Sequence, residues 1–273
     1  MQNLEIYDQE KNLEKTWAAE LEILDSIDKF CRKEELKYSL AFGTLLGAVR
    51  HGGFIPWDDD VDILMPRKDY EYFVTHWTVP GFILQNKRTN NDYTQCFTKI
   101  RKDHTTFLQY EFEKNVSYHT GIFVDIFPGD RVAPTQLTRK IQFILFAINL
   151  LYSREYTSGS ESSKLESILL KVPRSIRLKI RSWAEKRMQR WDYTGGKIVN
   201  ASTIDNARLY FQSNLFDRMT EIEFCGKKYM CTAEYESFLL TCYGDYMKLP
   251  PEDERRIKHH PLIVDFERNF GES

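Results

Sequence analysis

Four carboxylates within five residues, Asp58-Asp59-Asp60-Val61-Asp62, run directly into Ile63-Leu64-Met65-Pro66. From residue 60 to 65, Val61, Ile63 and Met65 alternate with Asp60, Asp62 and Leu64, the period of a β-strand with one face turned inward. On such a strand Asp60 and Asp62 project to the same side, and Asp58 joins them if the extended path begins that early; Asp59 then points away. Carboxylates side by side repel, so near neutral pH one of them is protonated or a cation lies between them. A cation held by oxygen ligands beside phosphates is of the hard kind, Mg2+ or Mn2+.

A third acid interrupts the apolar stretch Gly121-Ile122-Phe123-Val124-Asp125-Ile126-Phe127. A lone carboxylate in a buried strand is costly unless it is paired or shares a cation, so Asp125 is expected to complete a triad with Asp60 and Asp62 that supports two-metal phosphoryl transfer. The plainer alternative makes Asp125 the cap of a turn at Pro128-Gly129. An EF-hand reading of the Asp-x-Asp-x-Asp spacing fails, because Ile63 stands where the tight turn needs glycine and Asp69 where the bidentate Glu belongs. Ahead of the acids, Phe42-Gly43-Thr44 reads as a small-residue turn between a strand and a short helix, where Gly43 amides and the Thr44 hydroxyl would hold a phosphate. Arg50, His51, Lys99 and Arg101 are the neighbouring cations able to neutralise a diphosphate, each of them also compatible with a plain surface role.

Around these residues the pattern predicts an α+β fold, a mixed sheet flanked by helices with a helical insertion. Leu13, Trp17, Leu21, Leu24, Ile27 and Phe30 recur at three or four residues, predicting an amphipathic helix over residues 4–35. Strands are expected at 37–42, 60–65, 82–85, 95–101, 106–110 and 121–127, a short helix at 44–49, and a helix opened by Pro66 that turns Tyr70, Phe73 and Val74 inward. Residues 219–224 and 227–231 flank Cys225-Gly226 as a hairpin, and Thr232 is the expected N-cap of a last helix through Tyr243.

The middle of the chain is different in charge. Residues 137–191 carry twelve Lys or Arg against four Glu, whereas the whole chain has a net charge of -2. Residues 141–152 are too few and too interrupted to span a bilayer. The mixture of basic, apolar and aromatic residues from 169 to 191 fits equally a helix on an anionic membrane surface and a solvated helical pair. Residues 158–163 are the best linker between the two helices. Three stretches follow: 1–136, the basic helical insertion 137–192, and 193–273.

Nothing global suggests nucleic acid as a partner. The N-terminus lacks the basic start and apolar run of a secretory signal, which predicts a cytoplasmic chain. Five cysteines without a C-x-x-C pair read as buried or inert thiols; the alternative, a site from Cys225, Cys231, Cys242 and His259 or His260, matches no familiar zinc spacing.

Residues 43–63, GTLLGAVRHGGFIPWDDDVDI, closely resemble the signature of the LicD family, which includes bacterial phosphocholine transferases and is related to the fukutin group. The resemblance continues through Thr98-Lys99-Ile100-Arg101, residues 121–128, Tyr243-Gly244-Asp245-Tyr246, Pro250-Pro251 and the closing Arg256, His259 and His260. It implies a nucleotidyltransferase-type fold whose catalytic core is 1–136, completed by 193–273. It also implies a CDP-linked donor, a divalent metal and a sugar acceptor, commonly on a lipid-linked teichoic acid, lipopolysaccharide or glycan precursor. Carried over, Asp60 and Asp62 match the paired metal ligands and Asp125 the third acid. The expected reaction is attack of a sugar hydroxyl on the choline-bearing phosphorus of CDP-choline with CMP leaving, at the inner face of the cell membrane. Trp57 or Tyr93 would face the quaternary ammonium. Transfer of ribitol or glycerol phosphate from its CDP form, and a non-catalytic binding module on the same fold, are the competing readings.

Overall fold

The computed structural model describes residues 9–91, 93, 95–153, 171–189, 196–199, 209–257, 259 and 261–272. Strands β1 (Ser39–Leu40), β2 (Asp62–Pro66), β3 (Phe82–Gln85), β4 (Thr98–Lys102) and β6 (Phe123–Arg131) form a mixed sheet in the order β1-β2-β6-β4-β3. Its two central strands, β2 and β6, are parallel, and the other pairings along this path are antiparallel. Beyond its first half β6 pairs with β7 (Ile198–Val199), which pairs with β8 (Tyr210–Phe211), so residues from the last third of the chain extend the same sheet. A hairpin of β9 (Met219–Phe224) and β10 (Lys227–Thr232) and a small pair of β5 (Thr106–Leu108) with β11 (Ile263–Asp265) lie beside it. With six helices among the described residues, this is the expected mixed α+β architecture.

The central strands read as apolar runs because both faces of the sheet are covered: Ile63, Leu64, Met65, Val124 and Ile126 are fully buried. Against them pack α1 (Gln9–Lys33), α2 (Phe42–His51) and α3 (Arg67–His76). On α3, Tyr70 and Phe73 are buried, and Arg67 donates through Nε and Nη2 to Asp130 of β6 at 2.7 and 2.6 Å, riveting the helix to the sheet.

Several boundaries differ from the sequence reading, for local reasons. The strand expected at 37–42 shrinks to two residues because Phe42 already opens α2, with a left-handed φ of 44°. Its ring is held edge-on by Phe127 at 5.6 Å and packs against Phe238 at 5.5 Å. The regular ladder of β2 begins at Asp62, not Asp60, although the Val61 carbonyl already accepts the Asp125 amide at 2.9 Å. β6 runs straight through Pro128-Gly129, whose register partners are Met65 and Pro66, so Asp125 caps no turn there. In the last helix, α6 (Tyr235–Tyr243), Glu234 is the N-cap; Thr232 instead donates to the Leu215 carbonyl and accepts the Glu234 amide. The hairpin turn is as expected, with Cys225 and Gly226 both at positive φ, the geometry that suits a two-residue connection.

Helix α1 buries a stripe rotated from the expected one. Ile23, Leu24, Ile27 and Cys31 face the core, but the N-terminal half buries Asn12, Thr16 and Glu20, while Leu13, Trp17, Leu21 and Phe30 are half-buried. The polar half of that stripe meets the acidic segment. In the insertion, α4 (Gln136–Ser153) and α5 (Arg174–Met188) pack on one another around a small core of Leu145, Phe146, Ala184 and Met188. The proposed linker 158–163 lies outside the described residues. Arg177 and Arg181 do not face solvent: each is buried, with the Arg177 guanidinium donating to the Val172 carbonyl and that of Arg181 to the Tyr93 and Gln95 carbonyls.

The five cysteines are free thiols. Burial pushes Cys231 and Cys242 up to about 12, which leaves them protonated and unreactive at neutral pH.

Candidate active site

Register aligns the acids. Asp62 on β2 lies opposite Asp125 on β6, and Asp125 lies opposite Lys99 on β4, so the three side chains stand in one row on one face of the sheet. Lys99 Nζ donates to Asp125 Oδ1 at 2.6 Å while lying 3.2 Å from the centre of the Phe123 ring. Both partners are buried. Desolvation raises the Asp125 carboxyl above its usual range in spite of Lys99, and it lowers the Lys99 ammonium in spite of Asp125. For each group, then, burial outweighs the attraction between them.

Asp58, Asp59 and Asp60 belong to the loop that leads into β2. Asp58 is buried against Gly43: a Cβ at residue 43 would lie 2.3 Å from Asp58 Oδ2. A side chain at residue 43 would have to displace the Asp58 carboxylate, and the place expected to hold a phosphate is bordered by a carboxylate of the chain itself. The Thr44 hydroxyl accepts the Asp62 amide at 2.8 Å, pinning the start of β2, and its proton can still be donated to a ligand. The Asp58 carbonyl accepts Trp17 Nε1 of α1 at 2.8 Å, and Trp17 stacks on Phe54 at 4.9 Å, which anchors the loop from the other side.

Asp59 does not simply point away. It is buried with its Oδ1 3.2 Å from His259 Nδ1, and the same nitrogen is 3.8 Å from Asp60 Oδ2. Burial lowers His259, but the hydrogen bond to Asp59 and the charges of Asp60 and Asp59 prevail and hold it above its ordinary value. Asp59 Oδ2 has no partner.

A further acid went unnoticed in the sequence. Glu20 of α1 is buried, and desolvation first, followed by Asp60, Asp59, Asp58 and Asp125, drives its carboxyl well above the ordinary range; its Oε2 has no partner. Its only sequence signal is an acid on the buried stripe of an amphipathic helix. The unfolded chain releases this proton near the ordinary carboxyl value of 4.5 whereas the folded chain retains it, so Glu20 makes stability fall as pH rises above that value. Glu20→Gln is therefore expected to match the wild type in thermal stability at about pH 5 and to exceed it at about pH 8, both without divalent cations. Parallel melting curves for the two proteins at both pH values would show that Glu20 ionises alike in the folded and unfolded chains.

The expected cations separate into two groups. Arg101 is fully buried, donating to Gln85 Oε1 and, at 2.5 Å, to the Gly121 carbonyl, so it braces the sheet and is not placed to meet a diphosphate. Arg50 and His51 close the far end of α2: Arg50 donates to His51 Nε2 at 3.0 Å and to the Tyr246 carbonyl at 2.9 Å. Desolvation lowers both of them. The His51 ring lies edge-on to Trp57 at 6.4 Å, and the guanidinium of Arg255 lies 5.5 Å from the centre of the Trp57 ring. Arg255 was not singled out in the sequence; the neighbouring Arg256 is exposed. Tyr243 of α6 is partly exposed, yet desolvation of its hydroxyl first, then the charges of Cys242, Asp62, Asp58 and Asp60, raise it above its ordinary value. Tyr93, the other aromatic offered for a quaternary ammonium, is buried with its ring edge-on to Tyr118.

Apart from the His259 ring, the ligand atoms on offer are carboxylate oxygens, and two buried ones, Glu20 Oε2 and Asp59 Oδ2, lack a partner; that chemistry suits a hard divalent cation. Among the described residues, however, no three His, Cys, Asp or Glu side chains are already gathered as a metal-holding group. In the present arrangement the counter-ion of Asp125 is Lys99.

An α+β sheet that sets Asp62 and Asp125 side by side on two parallel strands, with Lys99 on the next strand, frames the site. The family described as LicD/FKTN/FKRP, nucleotidyltransferase domain, matches residues 35–175, just over half of the chain, and the protein belongs to that family. It is 29% identical over 248 residues to the lipopolysaccharide cholinephosphotransferase LicD of Haemophilus influenzae, covering 88% of this chain and 92% of that protein. Shorter matches are 42% identical over 52 residues to an uncharacterized protein of Rickettsia typhi and 44% over 48 residues to one of Rickettsia prowazekii. They cover 19% and 18% of this chain, and 17% and 18% of those proteins.

Proposed function

We propose that this protein is a phosphotransferase with a nucleotidyltransferase-like core. It would move phosphocholine from CDP-choline to a sugar hydroxyl of a lipopolysaccharide- or teichoic-acid-type precursor and release CMP. Support comes from the row Asp62, Asp125, Lys99 at the mouth of the acidic loop, in a chain that aligns over most of its length with a cholinephosphotransferase.

In this reading Asp60, Asp62 and Asp125, with Asp58 at their edge, would hold Mg2+ or Mn2+. The ion would supply charge neutralisation for the diphosphate and acidity for the attacking hydroxyl. Loading it requires Asp125 to share or yield its bond to Lys99, whose ammonium remains close enough to offset the charge of the phosphates. Arg50, His51 and Arg255 border the site with cationic or hydrogen-bonding groups suited to phosphate oxygens, and Trp57 offers a ring beside them. The sugar oxygen forms a bond to the choline-bearing phosphorus as the bond to the CMP oxygen breaks. The hydroxyl proton passes to Asp125, whose burial makes it a stronger base than an ordinary carboxylate. Such chemistry belongs at the inner face of the cell membrane, where lipid-linked glycan precursors are assembled from cytoplasmic donors.

The test supplies Mg2+ or Mn2+, a lipopolysaccharide or teichoic-acid acceptor, and CDP-choline, CDP-ribitol or CDP-glycerol in turn, and measures CMP release. CDP-choline is expected to be turned over fastest. Faster release from CDP-ribitol or CDP-glycerol would reassign the donor, and no CMP from any of them would leave the fold as a binding module.

A further inference from the structure

Helix α4 has an apolar residue on nearly every side. Its inward arc carries Leu145 and Phe146, but its outward arc carries Leu137 at 69% exposure and Ile144 at 57%, with Ile141 and Phe143 also exposed. Leu137, Ile141 and Ile144 recur at four and three residues and so form one outward stripe. A helix apolar all round is normally covered on both sides. On its neighbour α5, Ile176 and Trp183 stand seven residues apart on the outward face, with Trp183 at 50% exposure.

Charge tells what kind of cover fits. Lys140 on α4 and Lys179 and Lys186 on α5 are exposed beside these apolar residues, and Lys171 is exposed just ahead of α5. Arg187 lies 5.7 Å from the Trp183 ring. The one acid on the two helices, Glu185, is largely buried and paired with Lys87. Two copies of such a face would bring like charges together. Hydrocarbon framed by lysines and an interfacial tryptophan, with no exposed acid among the described residues of the two helices, complements an anionic lipid surface. Among the described residues no helix is long and apolar enough to cross a membrane.

We propose that the outward faces of α4 and α5 dock this protein on an anionic membrane, with Leu137, Ile141, Ile144, Ile176 and Trp183 entering the interface and Lys140, Lys179 and Lys186 meeting lipid phosphates. The surface involves none of the acids of the active site, so the proposal holds or falls separately from the assigned reaction.

Co-sedimentation of the full chain with vesicles tests it. Binding is expected to mixed phosphatidylglycerol–phosphatidylcholine vesicles, to weaken with salt, and to be slight with phosphatidylcholine alone. Lys179→Glu/Lys186→Glu should lower the partition coefficient roughly twentyfold or more, at about fivefold per lysine removed. Ile144→Glu/Trp183→Glu should abolish it. If the latter fails to fold, as judged by circular dichroism, the charge-reversal pair decides, together with a vesicle-induced blue shift of tryptophan emission that Trp183→Phe removes. Absence of wild-type binding, or equal binding by the charge-reversal variant, overturns the proposal. So does a wild-type dimer that the variants turn into monomers, since the face would then be a contact between copies of the chain.

Discussion

Asp62→Asn is expected to leave a folded protein that releases CMP from CDP-choline roughly a thousandfold more slowly, the rate equivalent of losing about 4 kcal/mol of transition-state stabilisation at a metal site. The fold should survive because what anchors this position is main chain. The Asp62 amide bonds to the Thr44 hydroxyl, and the backbone stays in register with Asp125. Asparagine preserves both while removing one negative charge from a crowd that includes Asp58, Asp60 and Asp125, so the melting temperature without divalent cations should be unchanged or higher. The dependence of Tm on Mg2+ or Mn2+ should shrink at the same time, since a ligand of the cation is gone. A variant that unfolds would make the carboxylate structural. A variant of normal activity would remove Asp62 from the chemistry.

What could be read from the sequence depended on whether the signal was periodic or spatial. The alternation around residue 62 and the apolar run around Asp125 told that the acids sit on strands. That these strands are adjacent, parallel and in register is a matter of long-range pairing, which period alone does not encode. Cations were the weakest point for the same reason. Lys99 and Arg101 share one face of β4, yet one meets Asp125 while the other is taken up by Gln85 and the Gly121 carbonyl, a difference decided by what lies across the sheet. Glu20 and Arg255 lie far from the acidic loop in sequence and reach it through packing. The Thr44 hydroxyl accepts the Asp62 amide and so helps to hold β2, while its proton stays available to a phosphate oxygen, a double use that the sequence pattern alone does not show. In the insertion, composition signalled excess positive charge but not which arginines are buried: Arg177 holds the Val172 carbonyl ahead of α5 and Arg181 ties α5 to the Tyr93 and Gln95 carbonyls, while Lys140, Lys171, Lys179 and Lys186 remain exposed.

The Lys99–Asp125 pair separates structural from catalytic roles in a way single substitutions do not. Removing the ammonium by Lys99→Met leaves a buried carboxylate among like charges, and such an uncompensated charge costs about 3–5 kcal/mol. In a chain of this size that lowers Tm by roughly 10 °C. Mg2+ should then recover more of the variant's Tm than it adds to the wild type, because the ion takes over the charge that the ammonium supplied. Burial already outweighs attraction for both groups, so Lys99→Met/Asp125→Leu, which removes both charges, should melt close to the wild type. That double variant should nevertheless be inactive, with no Mg2+ response beyond what Asp60 and Asp62 retain. Recovery of stability without activity is the signature of an acid kept for chemistry and a lysine kept to make the acid tolerable. If the double variant is as unstable as Lys99→Met, the damage comes from lost packing over Phe123 and not from charge; if it turns over CDP-choline, Asp125 is not the proton acceptor.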